Sequence, residues 1–321
     1  MTSLSPLRAV GGGRVTLHGS DFNVDEPIGV TAGGVPARVS FASSERIAFT
    51  LPDDLDGGRV PVRLDALPGE TVYLSVGATW AAGLHQVDSP AFDADGNLYV
   101  TYSGSRGQEA PVSIFRVTPD GTREPFVSGI VNATSMCIGP DGKLYVSSRF
   151  EGAVYRIADD GSHEQVASDL GVACGIAFDR DGWMFVGDRS GTVFRVRDGR
   201  ATAFATLPPS VAAFHLAMSP DGDLLVTAPT LGTYDFLYRI DRHGTVSMLP
   251  HVMGRPQGIA FGPDGAFYVV DALAGSSGLF RVPLDGGEPE LVLSGAALIG
   301  VAFGPSGGLA VCSNETAYLF D

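Results

Sequence analysis

The chain has 321 residues, 44% of them apolar, which is enough for a sizeable buried core and too apolar for a disordered segment. Its formal charge is −15, with lysine and arginine scattered singly, which argues against a phosphate-tracking surface and against nucleic acid as a partner. No apolar run approaches the length that spans a bilayer, and no basic stretch followed by an apolar one opens the chain, so the expectation is a cytoplasmic protein without a membrane partner.

The three cysteines, Cys137, Cys174 and Cys312, cannot all pair, and each sits in or beside an apolar strand, so reduced thiols are expected. Glycine (43) and proline (21) fall at regular turn positions, the pattern of many short strands.

Residues 1–70 carry alternating strands broken by glycine and proline. They include Arg14–Leu17, Ile28–Val30, Val35–Val39, Arg46–Leu51 and Val60–Leu64, a spacing that fits a small β-sandwich. The pieces Gly19-Ser20-Asp21-Phe22 and Gly33-Gly34-Val35-Pro36-Ala37 closely resemble the IPT/TIG domain, an immunoglobulin-like module. That resemblance implies a spacer or interaction domain without chemistry of its own. Residues 71–83 read as a linker, with a candidate strand at Tyr73–Ala82.

From residue 84 to 321 one sentence repeats six times. It is a short apolar strand, an Asp-Gly turn and a second apolar strand, the signature of a β-hairpin. The turns fall at Asp95-Gly96, Asp141-Gly142, Asp181-Gly182, Asp221-Gly222, Asp264-Gly265 and Ser306-Gly307, so successive turns stand 46, 40, 40, 43 and 42 residues apart. A third strand follows each hairpin, with arginine at one shared position (Arg116, Arg156, Arg195, Arg239, Arg281), where pairing between blades is expected. A fourth strand closes each unit but the last, which ends at its third strand, Thr316–Phe320. Four antiparallel strands at this period predict an all-β chain built as a sandwich plus a six-bladed β-propeller. The strand at Tyr73–Ala82 would complete the last blade and remove an open sheet edge.

The blade pattern fixes where a site would lie. The loops entering the first strands and leaving the second ones share one face, the funnel mouth. The first-strand entrances supply Asp88, Ser135, Cys174, His215, Gln257 and Ile299, five polar residues where strands are otherwise apolar. The second-strand exits supply Tyr102, Ser148, Asp188, Ala228, Asp271 and Ser313, with Arg149 and Arg189 following directly in two blades. The long exit loops Tyr102–Pro111 and Pro229–Tyr234 could wall the mouth. Tyr102, Ser135, Arg149, Arg189, Tyr234 and Gln257 are therefore the expected substrate contacts.

The hairpin sentence resembles NHL repeats and the related six-bladed gluconolactonase/senescence-marker-protein family. That resemblance implies a divalent cation at the inner-strand entrances, held by an acidic residue in a Glu-x-Pro-type opening, two asparagines and an aspartate. Asp88-Ser89-Pro90-Ala91-Phe92 matches the opening, with Asp88 in place of glutamate. The other three ligand positions fall on Cys174, His215 and Gln257, which depart from the family pattern.

An acidic oxygen, a thiolate and an imidazole suit a borderline metal such as zinc better than calcium. Asp88, Cys174 and His215, with Gln257, are thus one expected metal set. Cys174 and His215 as a nucleophile pair are another arrangement of the same residues, and His215, Asp188 and Asp271 are candidate bases. Each has a structural alternative: Cys174 as a small buried hydrophobe, His215 as a hydrogen-bonded core histidine, and the two aspartates as acceptors for loop amides. No phosphate-binding glycine loop, Cys-x-x-Cys pair or Gly-x-Ser-x-Gly elbow is present, so no nucleotide cofactor is expected. Two functions are carried forward. One is a lactonase-like hydrolase acting on a small lactone or ester at the mouth, and the other is a non-enzymatic propeller binding a peptide or glycan.

Overall fold

The repeated turn explains the repeated hairpin. In each, the glycine N–H closes back onto the carbonyl three residues earlier, as from Gly96 to Asp93, Gly142 to Gly139 and Gly265 to Gly262. The glycines at the six turns have φ between 73° and 89°, a conformation that costs glycine nothing and other residues much. Asp93 adds its side chain, whose Oδ1 accepts from the amides of Asp95 and Asn97. Local chemistry alone therefore sets the register of the first two strands.

The computed structural model describes residues 1, 3–67, 69–272 and 277–320. Its described residues hold strands and turns and no helix long and apolar enough to cross a membrane. The chain is an all-β sandwich followed by a β-propeller. The first repeat forms the sheet Ala91–Phe92, Leu98–Thr101, Ile114–Val117 and Arg123–Val127. The next three repeat this antiparallel meander, beginning at Ala133–Ile138, Ala173–Phe178 and His215–Met218.

The stretch Tyr73–Ala82 divides. Val72–Val76 pairs with Gly58–Leu64 inside the sandwich, whereas Ala78–Ala82 pairs antiparallel with Thr316–Phe320 and completes the last sheet. The ring is thus closed by a strand that comes from before the first repeat.

Among the described residues, five of the four-strand units are free-standing sheets, not six. The unit Pro256–Phe261, Phe267–Asp271, Gly278–Val282 and Glu290–Ser294 continues outward. Its last strand pairs in parallel with Arg8–Ala9, which pairs in turn with Val72–Val76, giving one twelve-stranded sheet shared with the sandwich. The outer edge that a blade would normally leave to solvent is here covered by the N-terminal segment.

Buried side chains collect between consecutive units rather than within them. Ile114, Val127, Met136 and Val146 join the first two, and Val154, Ala173 and Val186 the next. The third-strand arginines pair within their own unit, which corrects the expected pairing between blades: Arg116 with Glu124, Arg156 with Asp141, and Arg239 with Asp223. Arg195 instead stacks over Trp183, 3.7 Å from the ring centroid.

The innermost strands approach closely. A Cβ on Gly175 would lie 2.5 Å from the carbonyl oxygen of Phe214 in the next unit, and the Gly175 amide donates to that same oxygen at 2.8 Å. Gly175→Val should therefore push on the strand that carries His215. We expect a loss of about 2–3 kcal/mol of stability, read from urea denaturation midpoints at unchanged m-value.

Candidate functional site

Of the six entrance positions, Asp88, Ser135, Cys174, His215 and Gln257 are buried and Ile299 is partly buried. They lie in or just before the innermost strands, with His215 opening His215–Met218 and Asp88 three residues before Ala91–Phe92, and one side-chain contact joins the first unit to the fourth. His215 Nδ1 and Asp88 Oδ1 are 2.5 Å apart, and both side chains are nearly fully buried. Two units lie between these residues in either direction, so the pair spans the central channel. The Ser89 amide also donates to Asp88 Oδ1, holding the carboxylate toward the ring. The other imidazole nitrogen, Nε2, is buried and has no hydrogen-bond partner among the described residues. A carboxylate on Nδ1 fixes ring orientation and tautomer and leaves Nε2 to exchange a proton.

The rest of the expected metal set does not assemble. The Cys174 thiol donates to the Val172 carbonyl at 3.3 Å and packs among Phe214, Leu216 and Ala177. Burial pushes the thiol up to about 12, and the nearby Asp88 carboxylate acts in the same direction. The backbone carbonyl of Gln257 accepts from Thr227 Oγ1 at 2.7 Å, tying its strand to the second strand of the preceding unit. Among the described residues no three His, Cys, Asp or Glu side chains converge as a metal-binding group. A carboxylate committed to an imidazole and a protonated thiol offer neither the oxygen cage calcium needs nor a zinc tetrahedron, so the residues present do not fit the metal. The nucleophile pair is not formed either, because His215 turns its Nδ1 to Asp88 and Cys174 faces its own loop.

These thiols give a direct test. Cys137 is likewise pushed up to about 12 by burial, and Cys312 is raised further by the same cause. A folded-state value above the ordinary 9.0 means stability that is complete below about pH 9 and lost as pH rises toward 12. Iodoacetamide at pH 8 should leave the native cysteines unlabelled, and the urea midpoint should fall between pH 9 and pH 11. Rapid labelling of Cys174 at pH 8 would restore the thiolate reading.

Asp188 and Asp271 satisfy their loops. Asp188 accepts from the Val172 amide at 2.8 Å and from Ser190, and Asp271 accepts from the amides of Gly254 and Arg255 at 2.8 and 2.7 Å. Each fastens a strand exit to the loop that enters the same unit, the structural alternative rather than the role of base. Ser135 Oγ accepts from the Ile176 amide, bridging neighbouring inner strands. Tyr102 packs edge-on to His85, and Tyr234, more than half exposed, packs edge-on to Phe236. None of Tyr102, Tyr234, Ser135 or Gln257 lines the cavity described next.

That cavity, of about 230 Å³, sits over the ring. Val87 and Ala213, beside the two halves of the buried pair, contribute to it, as do Cys174 and Ile299 from the entrance positions. Its polar lining comes from Arg149, Arg189, Gln86, Thr134 and Asn314. Both arginines were expected here, but Gln86 and Asn314 were not. Asn314 follows the second-strand exit of the last repeat, as Arg149 and Arg189 follow theirs, so reading one residue past every exit finds it. Gln86 stands two residues before Asp88 and carries no such mark. Both atoms of its amide are buried without a partner among the described residues.

Residues 1–73 match the family model of the IPT/TIG domain. No curated protein matches the chain. Among solved structures, the chain is similar to a gluconolactonase from Xanthomonas campestris, at 17% identity and a TM-score of 0.61 over 75% of this chain and 87% of that one. It is similar to an auxiliary nutrient binding protein from Bacteroides thetaiotaomicron, at 14% identity and a TM-score of 0.59 over 99% and 96%. It also resembles a catalytically inactive variant of virginiamycin B lyase from Staphylococcus aureus with quinupristin, at 14% identity and a TM-score of 0.55 over 96% and 99%. At such identities the likeness establishes the propeller fold and nothing finer.

Proposed function

We propose that the propeller mouth acts on a small lactone or ester by proton transfer at His215. The observation that carries this reading is the buried Asp88–His215 pair spanning the channel, with Nε2 unpartnered, and with Val87, next to Asp88, and Ala213, two residues before His215, lining a nearby cavity. In hydrolysis, Nε2 takes a proton from water as the water oxygen bonds to the ester carbonyl carbon. The tetrahedral centre then expels the ring oxygen, which receives that proton from the imidazolium. The products are an alcohol and a carboxylic acid, which releases its proton to solvent and leaves as a carboxylate, and Asp88 stabilises the imidazolium between the two steps.

A second reading has its own support. The likeness to the Bacteroides nutrient binding protein covers both the sandwich and the propeller, whereas the likeness to the gluconolactonase covers three-quarters of this chain. In that reading the mouth captures a ligand without turning it over.

The purified chain, incubated with lactones and esters and followed by mass spectrometry, separates these outcomes. Gain of one water marks hydrolysis, ring opening without a mass change marks elimination, and a tightly held, unchanged ligand marks a binding protein.

A further inference from the structure

We propose that the mouth cavity recognises an oxyanion, the carboxylate or phosphate end of a small polar ligand, through Arg149 and Arg189. The proposal rests on the mouth being the ligand site, and it is independent of the chemistry assigned to His215.

The protein carries 36 acidic and 21 basic side chains, so partners for arginine are plentiful. Among the described residues, four third-strand arginines, Arg116, Arg156, Arg239 and Arg281, find a carboxylate, Lys143 pairs with Asp159, and Arg195 stacks on Trp183, while most other arginines are without an ion pair. Among the described residues, neither Arg149 nor Arg189 forms an ion pair, although both are half-buried and both line the same cavity.

Arg189 spends one N–H on the Val211 carbonyl at 2.8 Å, and its neighbour Asp188 is occupied by the Val172 and Ser190 donors. Burial lowers the affinity of Arg149 for its proton, and Arg189 and Arg106 push the same way by repulsion. Cations that repel one another in a shared, partly desolvated cavity raise the energy of the empty site. An anion placed between them removes that repulsion and accepts their paired N–H groups.

The neutral part of the lining says what else the ligand carries. Gln86 has a buried amide whose donor and acceptor are both unmet, and Thr134 and Asn314 line the same cavity while each gives a hydrogen bond to a backbone carbonyl, of Asn132 and of Gln86. Hydroxyl groups, which both give and take hydrogen bonds, match that amide.

The test is calorimetry on the full chain at low ionic strength with three probes: D-glucuronate, inorganic phosphate and neutral D-glucose. We expect one or both anions to bind at one site per chain, at least tenfold more tightly than glucose, and to weaken as salt is raised. Glucuronate alone identifies a carboxylate ligand, and phosphate alone a phosphorylated one. The R149Q/R189Q variant should lose at least tenfold in affinity, while R149K/R189K, which keeps the charge, should recover part of it. The proposal is overturned if neither anion binds, if glucose binds as tightly as the anions, or if R149Q/R189Q binds them unchanged while melting at the native temperature. His215→Ala separates the two readings. Anion binding kept while turnover is lost leaves both standing, and turnover in a wild-type chain that ignores anions defeats only this one.

Discussion

His215→Ala is expected to lower kcat for ring-ester turnover by about 10²–10⁴, the contribution of a positioned general base, with a much smaller change in KM. The cavity lining that would bind the substrate includes neither member of the pair and is untouched by the substitution. Removing the imidazole also leaves Asp88 buried without its partner, so a melting curve must accompany the kinetics. A cost of about 1–3 kcal/mol is expected from an unsatisfied buried polar group. Asp88→Asn separates the two effects. An amide oxygen can still accept from Nδ1–H, so the ring keeps its place, but the charge that stabilises the imidazolium is gone. For that variant kcat should fall at least about tenfold with KM and melting temperature near native. Native turnover in both variants would reduce the pair to a structural tie across the channel and shift the reading to ligand capture.

The contrast between what the chain announces and what it conceals follows from range. The Asp-Gly turns and two-residue alternation act within about ten residues, and they placed the hairpins, the third strands and the funnel mouth. Arg149 and Arg189 were legible because they sit at one position of a periodic unit. The Asp88–His215 contact has no such signature. Its partners are 127 residues apart, and only closure of the ring brings them together.

The entrance residues share a depth but not a partner, which is why Cys174, read as a co-ligand, gives its thiol hydrogen to a loop carbonyl instead. Asp188 and Asp271 were ambiguous for a different reason. A strand-exit aspartate satisfies loop amides or serves a ligand with the same residue type, and only the partner list decides. The shared twelve-stranded sheet was invisible because Arg8–Ala9, a two-residue strand, has no periodicity to read.

That short strand sets the second large effect. Val10 follows it, is 1% exposed, and packs with the propeller residues Val270, Leu279, Leu293, Leu298 and Phe320 rather than with the sandwich core. Its amide donates to the Ser294 carbonyl at 3.0 Å, and the Gly77 amide, just before the closing strand, donates to Ala9 at 3.0 Å. The N-terminal segment therefore fills part of a propeller interface while its neighbours belong to the sandwich. Val10→Ala should cost about 2 kcal/mol from lost apolar burial. Val10→Asp, which buries a carboxylate with no cation beside it, should cost about 3–5 kcal/mol.

Where that loss is felt decides the point. The two tryptophans, Trp80 and Trp183, lie in the closing strand and the third unit, so fluorescence reports the propeller and not the sandwich. If the two parts unfold as one body, Val10→Asp lowers the fluorescence midpoint in urea as much as the circular-dichroism midpoint. If fluorescence keeps its native midpoint while circular dichroism acquires an earlier step, the sandwich melts alone and the shared sheet contributes nothing to the propeller.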